Sequence, residues 1–285
     1  MTEENENTYL FDTESAVEMG RLVDQERVIT QAMGGPLSGV LDLPAQAQIL
    51  DLGCGPGGWV LDAAYANPES EVAGVDISKI MIGYANARAR TQGLTNASFG
   101  LMDITQPLEF PTASFDLVNA RLLVAVLQRE AWEPFLRECT RILRPGGTIR
   151  LTEPVEPGGM TNSSAYERVN GLMAQLLRAR GYAFSVDDRT HGMALRLPRM
   201  LRDLEYQHVH LLSHALEISS GCPAWSDMYR NAQAMSAAAM PLFPQETHPF
   251  FQHFLQDMRS PDFCGTWHFD TVIGIKPLRG DEGEG

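Results

Sequence analysis

Basic residues are scarce in this chain: 22 Lys and Arg stand against 36 Asp and Glu, a formal net charge of −14. Such a balance argues against a phosphate backbone as partner, because nucleic-acid binders present clustered Lys and Arg. It equally disfavours an anionic membrane surface. Arg137, Arg141 and Arg144 lie around one helix end, where cations meet the negative pole of the helix. Cysteines are few, at positions 54, 139, 222 and 264. Their spacing suits neither a metal site nor a disulfide framework. No run approaches about 18 consecutive apolar residues, so no membrane span is expected. The first eight residues are acidic and polar, without the apolar stretch of a leader, and a cytoplasmic protein is the expectation. A Ser–His–Asp set on a nucleophile elbow is missing, as are internal repeats and low-complexity segments.

What the chain does have is concentrated in Ile49-Leu50-Asp51-Leu52-Gly53-Cys54-Gly55-Pro56-Gly57-Gly58 and in Val72-Ala73-Gly74-Val75-Asp76. This reads as a buried strand, a glycine loop, a helix and a second strand ending in an acid. The glycines at 53, 55 and 57 or 58 permit a tight turn and let a ligand lie directly on the backbone. An acid at the tip of the second strand can accept both hydroxyls of an adenosine ribose. Gly53-x-Gly55-x-x-Gly58 with an acid about 20 residues on also satisfies the dinucleotide fingerprint. Asp51 tilts the choice, since a pyrophosphate would meet a carboxylate just before the loop. S-adenosylmethionine carries an ammonium and a sulfonium, for which an acid there is an asset.

At these residues the sequence resembles the class I S-adenosylmethionine-dependent methyltransferases, whose first motif is an acid, any residue, then Gly-x-Gly-x-Gly. Phe99-Gly100-Leu101-Met102-Asp103-Ile104 is similar to the family's third-strand motif, Phe115-Asp116-Leu117-Val118-Asn119 to its fourth strand, and Leu143-Arg144-Pro145-Gly146-Gly147 to the turn into the fifth. The resemblance covers about residues 45 to 155. It implies S-adenosylmethionine as cofactor, with Asp103 at the adenine amino group and Asn119 on the strand beneath the methionine. The implied cofactor set is Asp51, Gly53, Gly55, Gly57, Gly58, Asp76, Ile77, Met102, Asp103, Ile104 and Asn119. A same-fold enzyme with non-methylating chemistry, or a nicotinamide oxidoreductase, is the alternative.

The alternating strands and helices imply an α/β fold with a parallel sheet, and the resemblance implies a doubly wound Rossmann-like sheet of seven strands, mostly parallel with an antiparallel last strand, plus helical cap insertions. Strands are expected near 48–53, 71–76, 97–102, 115–120 and 148–153, and helices near 58–66, 79–92 and 131–143. Ser78 suits a helix N-cap and Gly93 a C-terminal stop. Residues 1–44 are read as an N-terminal helical segment closing over the cofactor, with helix over 12–33 and Tyr9 and Arg27 as candidates for the pocket wall. Residues 45–154 form the cofactor-binding core. Residues 155–285 hold cap helices at 163–180, 197–204, 223–240 and 248–258 and the closing strands 206–216 and 265–275.

The catalytic group is unassigned, with Glu153, before Pro154 at the end of strand five, and His268 as candidate bases. Arg121 at the mouth of strand four is placed to orient an acceptor carboxylate or carbonyl; its bland alternative is an ion pair at the domain edge. For Glu153 that alternative is a helix-cap or backbone contact. Tyr166 and Trp225 represent the aromatic-rich cap that would line a mainly apolar acceptor pocket. His208, His210 and His214 share parity on one strand, near His268 and Asp270, but no ligand spacing forces them together, and no metal is expected. The partner is a small-molecule acceptor, and the state a monomer or homodimer.

Overall fold

The structure, a computed structural model, describes residues 15–185, 187, 189–240, 243 and 248–278. Strands β1 (Gln48–Leu52), β2 (Glu71–Asp76), β3 (Ala97–Leu101), β4 (Phe115–Arg121) and β5 (Leu143–Pro154) run parallel in the order 3-2-1-4-5. The two-residue β6 (Met160–Thr161) and β7 (Gln207–Glu217) both pair antiparallel with β8 (Gly265–Ile275), which lies antiparallel along β5. Among the described residues the sheet thus holds the seven expected strands and the two-residue β6, which was too short to leave a pattern in the sequence. The order reverses between β1 and β4, and in open α/β sheets ligands bind at the carboxyl ends of the strands beside that reversal.

Alternation along the strands builds two cores. Ile49, Val72 and Leu117 face one way and pack with Trp59, Val60 and Ala63 of α2 (Gly58–Ala66). Leu50, Val118 and Ile149 face the other way, against Trp132, Phe135, Leu136 and Cys139 of α4 (Trp132–Ile142). Fully burying each such aliphatic or aromatic side chain contributes about 1.5–3 kcal/mol. The helix α3 (Lys79–Gln92) starts where Ser78 Oγ accepts from Met81 N and stops at Gly93 in the left-handed conformation, as its sequence predicts. A third core lies on the carboxyl side of the sheet. There α1 (Ala16–Ala32) meets α5 (Ser164–Ala179), α7 (Trp225–Ala239) and α8 (His248–Asp257) around Trp267 and Phe269. Among the described residues no helix is long and apolar enough to cross a membrane.

The structure departs from the sequence reading in several places. β5 begins at Leu143, so the Arg144–Gly147 turn is absorbed into a strand whose register shifts against β4. The short cap helix expected at 197–204 starts earlier, as α6 (Met193–Asp203), because Gly192 caps it with φ +74°. On β7 the register slips between Gln207 and His210, and His208 has φ +51°. That irregularity takes His208 out of the alternation, so the three histidines do not share one face. Among the described residues no group of His, Cys, Asp or Glu is gathered to hold a metal. Tyr9, with the rest of residues 1–14, lies outside the described residues.

β5 ends on a contact that shapes everything beside it. Glu153 is 1% exposed, and its two carboxylate oxygens accept from Leu123 N at 2.8 Å and Val124 N at 3.0 Å. These amides open the tight turn after β4, entered through Leu122 at φ +61°. Burial pushes the Glu153 pKa up to about 8, against the pull of those two amides. Glu153→Ala leaves both amides without their acceptor and should lower stability by about 2–4 kcal/mol. Urea unfolding followed by tryptophan fluorescence reads this directly; an unchanged midpoint would show that the turn holds without it.

Candidate functional site

The glycine loop leaves β1 and is tied at once to β2: Gly53 N and Cys54 N both donate to Val75 O at 2.9 Å. Gly55 N donates to Asp76 Oδ2, and Ser78 N to Asp76 Oδ1, each at 2.9 Å. The acid at the tip of β2 is thus held by backbone on both sides. Gly55 has φ +52°, and a Cβ built there meets no atom within 4 Å. Gly57 differs. At φ +83° its Cβ would lie 2.7 Å from both Ala85 and the Phe99 ring, so only glycine fits the entry to α2.

Above this loop lies a cavity of about 290 Å³. Its floor comes from the carboxyl ends of β1 to β4, and its walls from α5, α7, α8 and the segment after β5. α1 covers it through Arg21, Leu22, Gln25 and Glu26. Arg21 donates to both oxygens of Glu18 at 2.5 and 2.8 Å, to Gln25 at 2.6 Å and, across to α7, to Asn231 at 3.0 Å. Glu26 accepts from Gly58 N at 2.9 Å, the first residue of α2, and from Arg88 at 2.7 Å. An acid at a helix N-terminus is favourably placed.

Charge inside the cavity is acidic and compressed by burial. Burial pushes the Asp51 pKa up to about 6, opposed by the Arg121 charge and by Asn119, whose Nδ2 donates to Asp51 Oδ1 at 2.7 Å. Glu26 is raised by burial too, against the pull of Arg88. Arg121 donates to Thr30 Oγ1 at 2.9 Å; burial lowers its pKa, while Asp51 and Glu26 pull it back up.

Of the residues singled out from sequence, Asp51, Gly53, Gly55, Asp76, Ile77, Met102, Asp103, Ile104, Arg121 and Tyr166 all line this one cavity. Gly57, Gly58, Asn119, Glu153, Trp225 and His268 are not among its lining residues. Asn119 stands behind Asp51, and Arg150 Nη1 donates to its Oδ1 at 2.8 Å. Trp225 stacks on Tyr229 with its indole N–H on Met258 O. His268 pairs with the buried Glu156 at 2.8 Å. Arg27 reaches Asp227 at 2.6 Å instead of the cavity.

Sequence reasoning missed Arg21, Gln25, Glu26, Asn170, Asn231 and His191, all of which line the cavity. The inner face of α1 is polar at spacings of three and four, a signal that a search for apolar periodicity passes over. His191 sits in a loop and left no pattern at all.

Residues 49–147 match the family model described as "Methyltransferase domain". A nocamycin O-methyltransferase from Saccharothrix syringae is 37% identical over 110 residues, 38% of this chain and 38% of that protein. The aklanonic acid methyltransferase DauC from Streptomyces sp. (strain C5) is 35% identical over 128 residues, 45% of this chain and 57% of the relative. The chain thus spans about half the length of the curated relatives it matches. Among solved structures, the YcgJ protein from Bacillus subtilis aligns with TM-score 0.54 and 19% identity over 91% of this chain and 98% of that one. The [4+2]-cyclase SpnF aligns with TM-score 0.52 and 19% identity over 93% and 97%. At such identities the structural likeness speaks for the fold alone. Motif and family match agree over residues 49–147, which match a methyltransferase domain, and the solved structures share the fold.

Proposed function

We propose that the protein transfers the methyl group of S-adenosylmethionine to a small organic acceptor. Gly55 carries this reading. Its backbone lines the cavity, yet a Cβ there would meet no protein atom. Flanked by Asp51 and Asp76, that space suits a cationic nucleoside lying on the backbone. Asp76 would take the ribose hydroxyls, Asp51 the methionine ammonium, and Asp103 the adenine amino group. Ile77, Met102 and Ile104 would pack about the base, with Gly53, Gly57 and Gly58 shaping the loop and Asn119 orienting Asp51.

When bound, the cofactor supplies a methyl carbon made electrophilic by its sulfonium. The chain's own work is to position the acceptor in line and to keep water out, which can supply several kcal/mol of the barrier. Arg121, compensated by Asp51 and Glu26, is assigned to sustaining the acids rather than to gripping the acceptor. Glu153 and His268 are assigned structural roles, since neither lines the cavity. The names of the relatives, an O-methyltransferase and an aklanonic acid methyltransferase, support a small-molecule acceptor. The acidic charge favours it over nucleic acid. A cytoplasmic location and a monomeric or homodimeric state complete the proposal.

Incubation with methyl-tritiated S-adenosylmethionine and small-molecule extracts should yield a labelled product. Tight cofactor binding without any labelled product would favour a non-methylating enzyme of this fold, and preferential binding of NAD would favour an oxidoreductase. Asp76→Ala should weaken cofactor affinity about ten- to a hundredfold, the loss of hydrogen bonds to a charged group; calorimetry on the folded variant checks it. Gly55→Val should keep the fold, at about 1–3 kcal/mol for a branched residue at positive φ, while S-adenosylhomocysteine binding disappears. Because Asp51 titrates near 6, its carboxylate is lost as pH falls through that value, and the ammonium loses its counter-charge. Affinity should be level above pH 7 and fall towards tenfold per unit below about 6, a slope that Asp51→Asn should flatten.

A further inference from the structure

Where α1 meets α7, one side chain orients two primary amides. Arg21 gives Nε and Nη2 to the two oxygens of Glu18, at 2.8 and 2.5 Å. Its Nη1 donates at once to Gln25 Oε1 at 2.6 Å and to Asn231 Oδ1, on α7, at 3.0 Å. A guanidinium has only donors, so both amides must turn their oxygens to it. Their nitrogens are thereby directed away from Arg21.

Gln25 and Asn231 are 8% and 7% exposed, and both line the cavity. Among the described residues neither Gln25 Nε2 nor Asn231 Nδ2 has a hydrogen-bond partner; the bonds of both amides are made by their oxygens. The polar side-chain atoms that are both sealed and without a partner are Arg150 Nη2, His191 Nδ1, His214 Nε2 and Ser236 Oγ. The two amide nitrogens are not among them, so each keeps accessible surface in a residue that lines the cavity. Buried donors left unmade are costly, and an incoming oxygen removes that cost. Their place in the cavity is also defined. Glu26, on the neighbouring side of α1, reaches Gly58 at the end of the glycine loop, whereas Gln25 and Asn231 meet on the cap side. There the lining drawn from α5, α7, α8 and β8 includes no Asp, Glu, Lys or Arg among the described residues.

We propose that Gln25 and Asn231 together hold a carbonyl oxygen of the methyl acceptor, which is an uncharged ketone, ester or amide on an apolar frame. This rests on the methyltransferase reading above and deepens it. A carbonyl oxygen has two lone pairs and no proton, so it accepts from both amides and leaves nothing unpaired. A hydroxyl would bring a proton of its own, and both amide oxygens are already spent on Arg21. A carboxylate would sit beside a guanidinium already paired with Glu18, with no further cation on the cap side to match it. By fixing one oxygen, the pair fixes which edge of the acceptor faces the methyl group.

The test uses the full chain saturated with S-adenosylhomocysteine and titrated with 2-acetylnaphthalene, 2-isopropenylnaphthalene and 2-naphthoate. The first two share a shape and differ only in carrying an oxygen or a methylene group on the same double bond. The ketone should bind about tenfold to a hundredfold tighter than the alkene, the worth of two neutral hydrogen bonds. Naphthoate should bind no better than the alkene. Asn231→Asp and Gln25→Glu each keep an oxygen for Arg21 and replace only the donor nitrogen. Each should cut the ketone's advantage about tenfold, while S-adenosylhomocysteine affinity stays within about twofold. Amides that only brace α1 against α7 would leave the ratio of ketone to alkene unmoved. If a variant fails to fold, Asn231→Leu or Gln25→Met serves in its place. Equal binding of ketone and alkene, binding of neither, a preference for naphthoate, or a ketone preference that survives the variants would overturn the proposal. Loss of S-adenosylhomocysteine affinity in the variants would overturn it too, by giving the amides to the cofactor's own carboxylate. Failure of the unaltered chain to bind S-adenosylhomocysteine would instead overturn the methyltransferase reading itself.

Discussion

A buried polar ladder crosses the middle of the sheet, and the site depends on it. Asp51, Asn119 and Arg150 are in-register neighbours on β1, β4 and β5. Arg150 donates to the Asn119 carbonyl, and the Asn119 amide donates to Asp51. None of the three is more than 3% exposed. Ions taken this far from water each cost several kcal/mol unless matched. Here the amide joins a cation and an anion that stand two strands apart. Its orientation is set from both sides, oxygen to the guanidinium and nitrogen to the carboxylate. Burial lowers the Arg150 pKa to about 9, with Arg121 adding to the effect, so the ladder keeps its positive end at neutral pH. The carboxylate that leads into the glycine loop is held by its neighbours in the sheet, before any ligand arrives.

This arrangement explains which parts of the molecule could be read from sequence. Local constraints wrote themselves plainly: Ser78 and Gly93 mark the two ends of α3, and Trp132, Phe135, Leu136 and Cys139 mark the buried face of α4. Residues at the carboxyl ends of strands, such as Asp76 and Asp103, followed from topology, because a parallel sheet delivers such positions to one cavity. Long-range partnerships left no such trace. Glu153 ends a strand as a candidate base would, yet its oxygens are taken by the backbone of another loop. His268 is likewise claimed by Glu156. Arg27 was singled out on α1, whereas the cavity takes Arg21, Gln25 and Glu26. A buried polar face has no hydrophobic period to announce it.

The two halves of the cavity answer to different chemistry. Loops leaving β1 to β4 bring acids and backbone amides, whose roles are fixed by the strands behind them. The cap brings Val169, Met173, Met235 and Phe254, apolar side chains on helices that bear on α1. Exchanging such side chains alters the shape of a pocket at modest cost when volume is kept. The acids have no such latitude, since each is tied into a charge or amide network.

The manner in which α1 is fastened bears on how quickly molecules can leave. Between α1 and α7 lie Arg27–Asp227 at 2.6 Å, Arg230–Asp24 at 2.8 Å, and the Arg21–Asn231 hydrogen bond. The buried Arg21–Glu18 pair belongs wholly to α1. When the two helices part, that pair travels together and no bare charge is left in an apolar surface. Besides the apolar packing of Val28 and Ile29, the ties between the helices include two ion pairs with half-exposed arginines and one neutral acceptor, and salt weakens the ion pairs. On the α2 side Glu26 must also release Gly58 N and Arg88. Residence time in the cavity would then depend on ionic strength, and more salt would shorten the stay of a spent nucleoside without changing the pocket that held it.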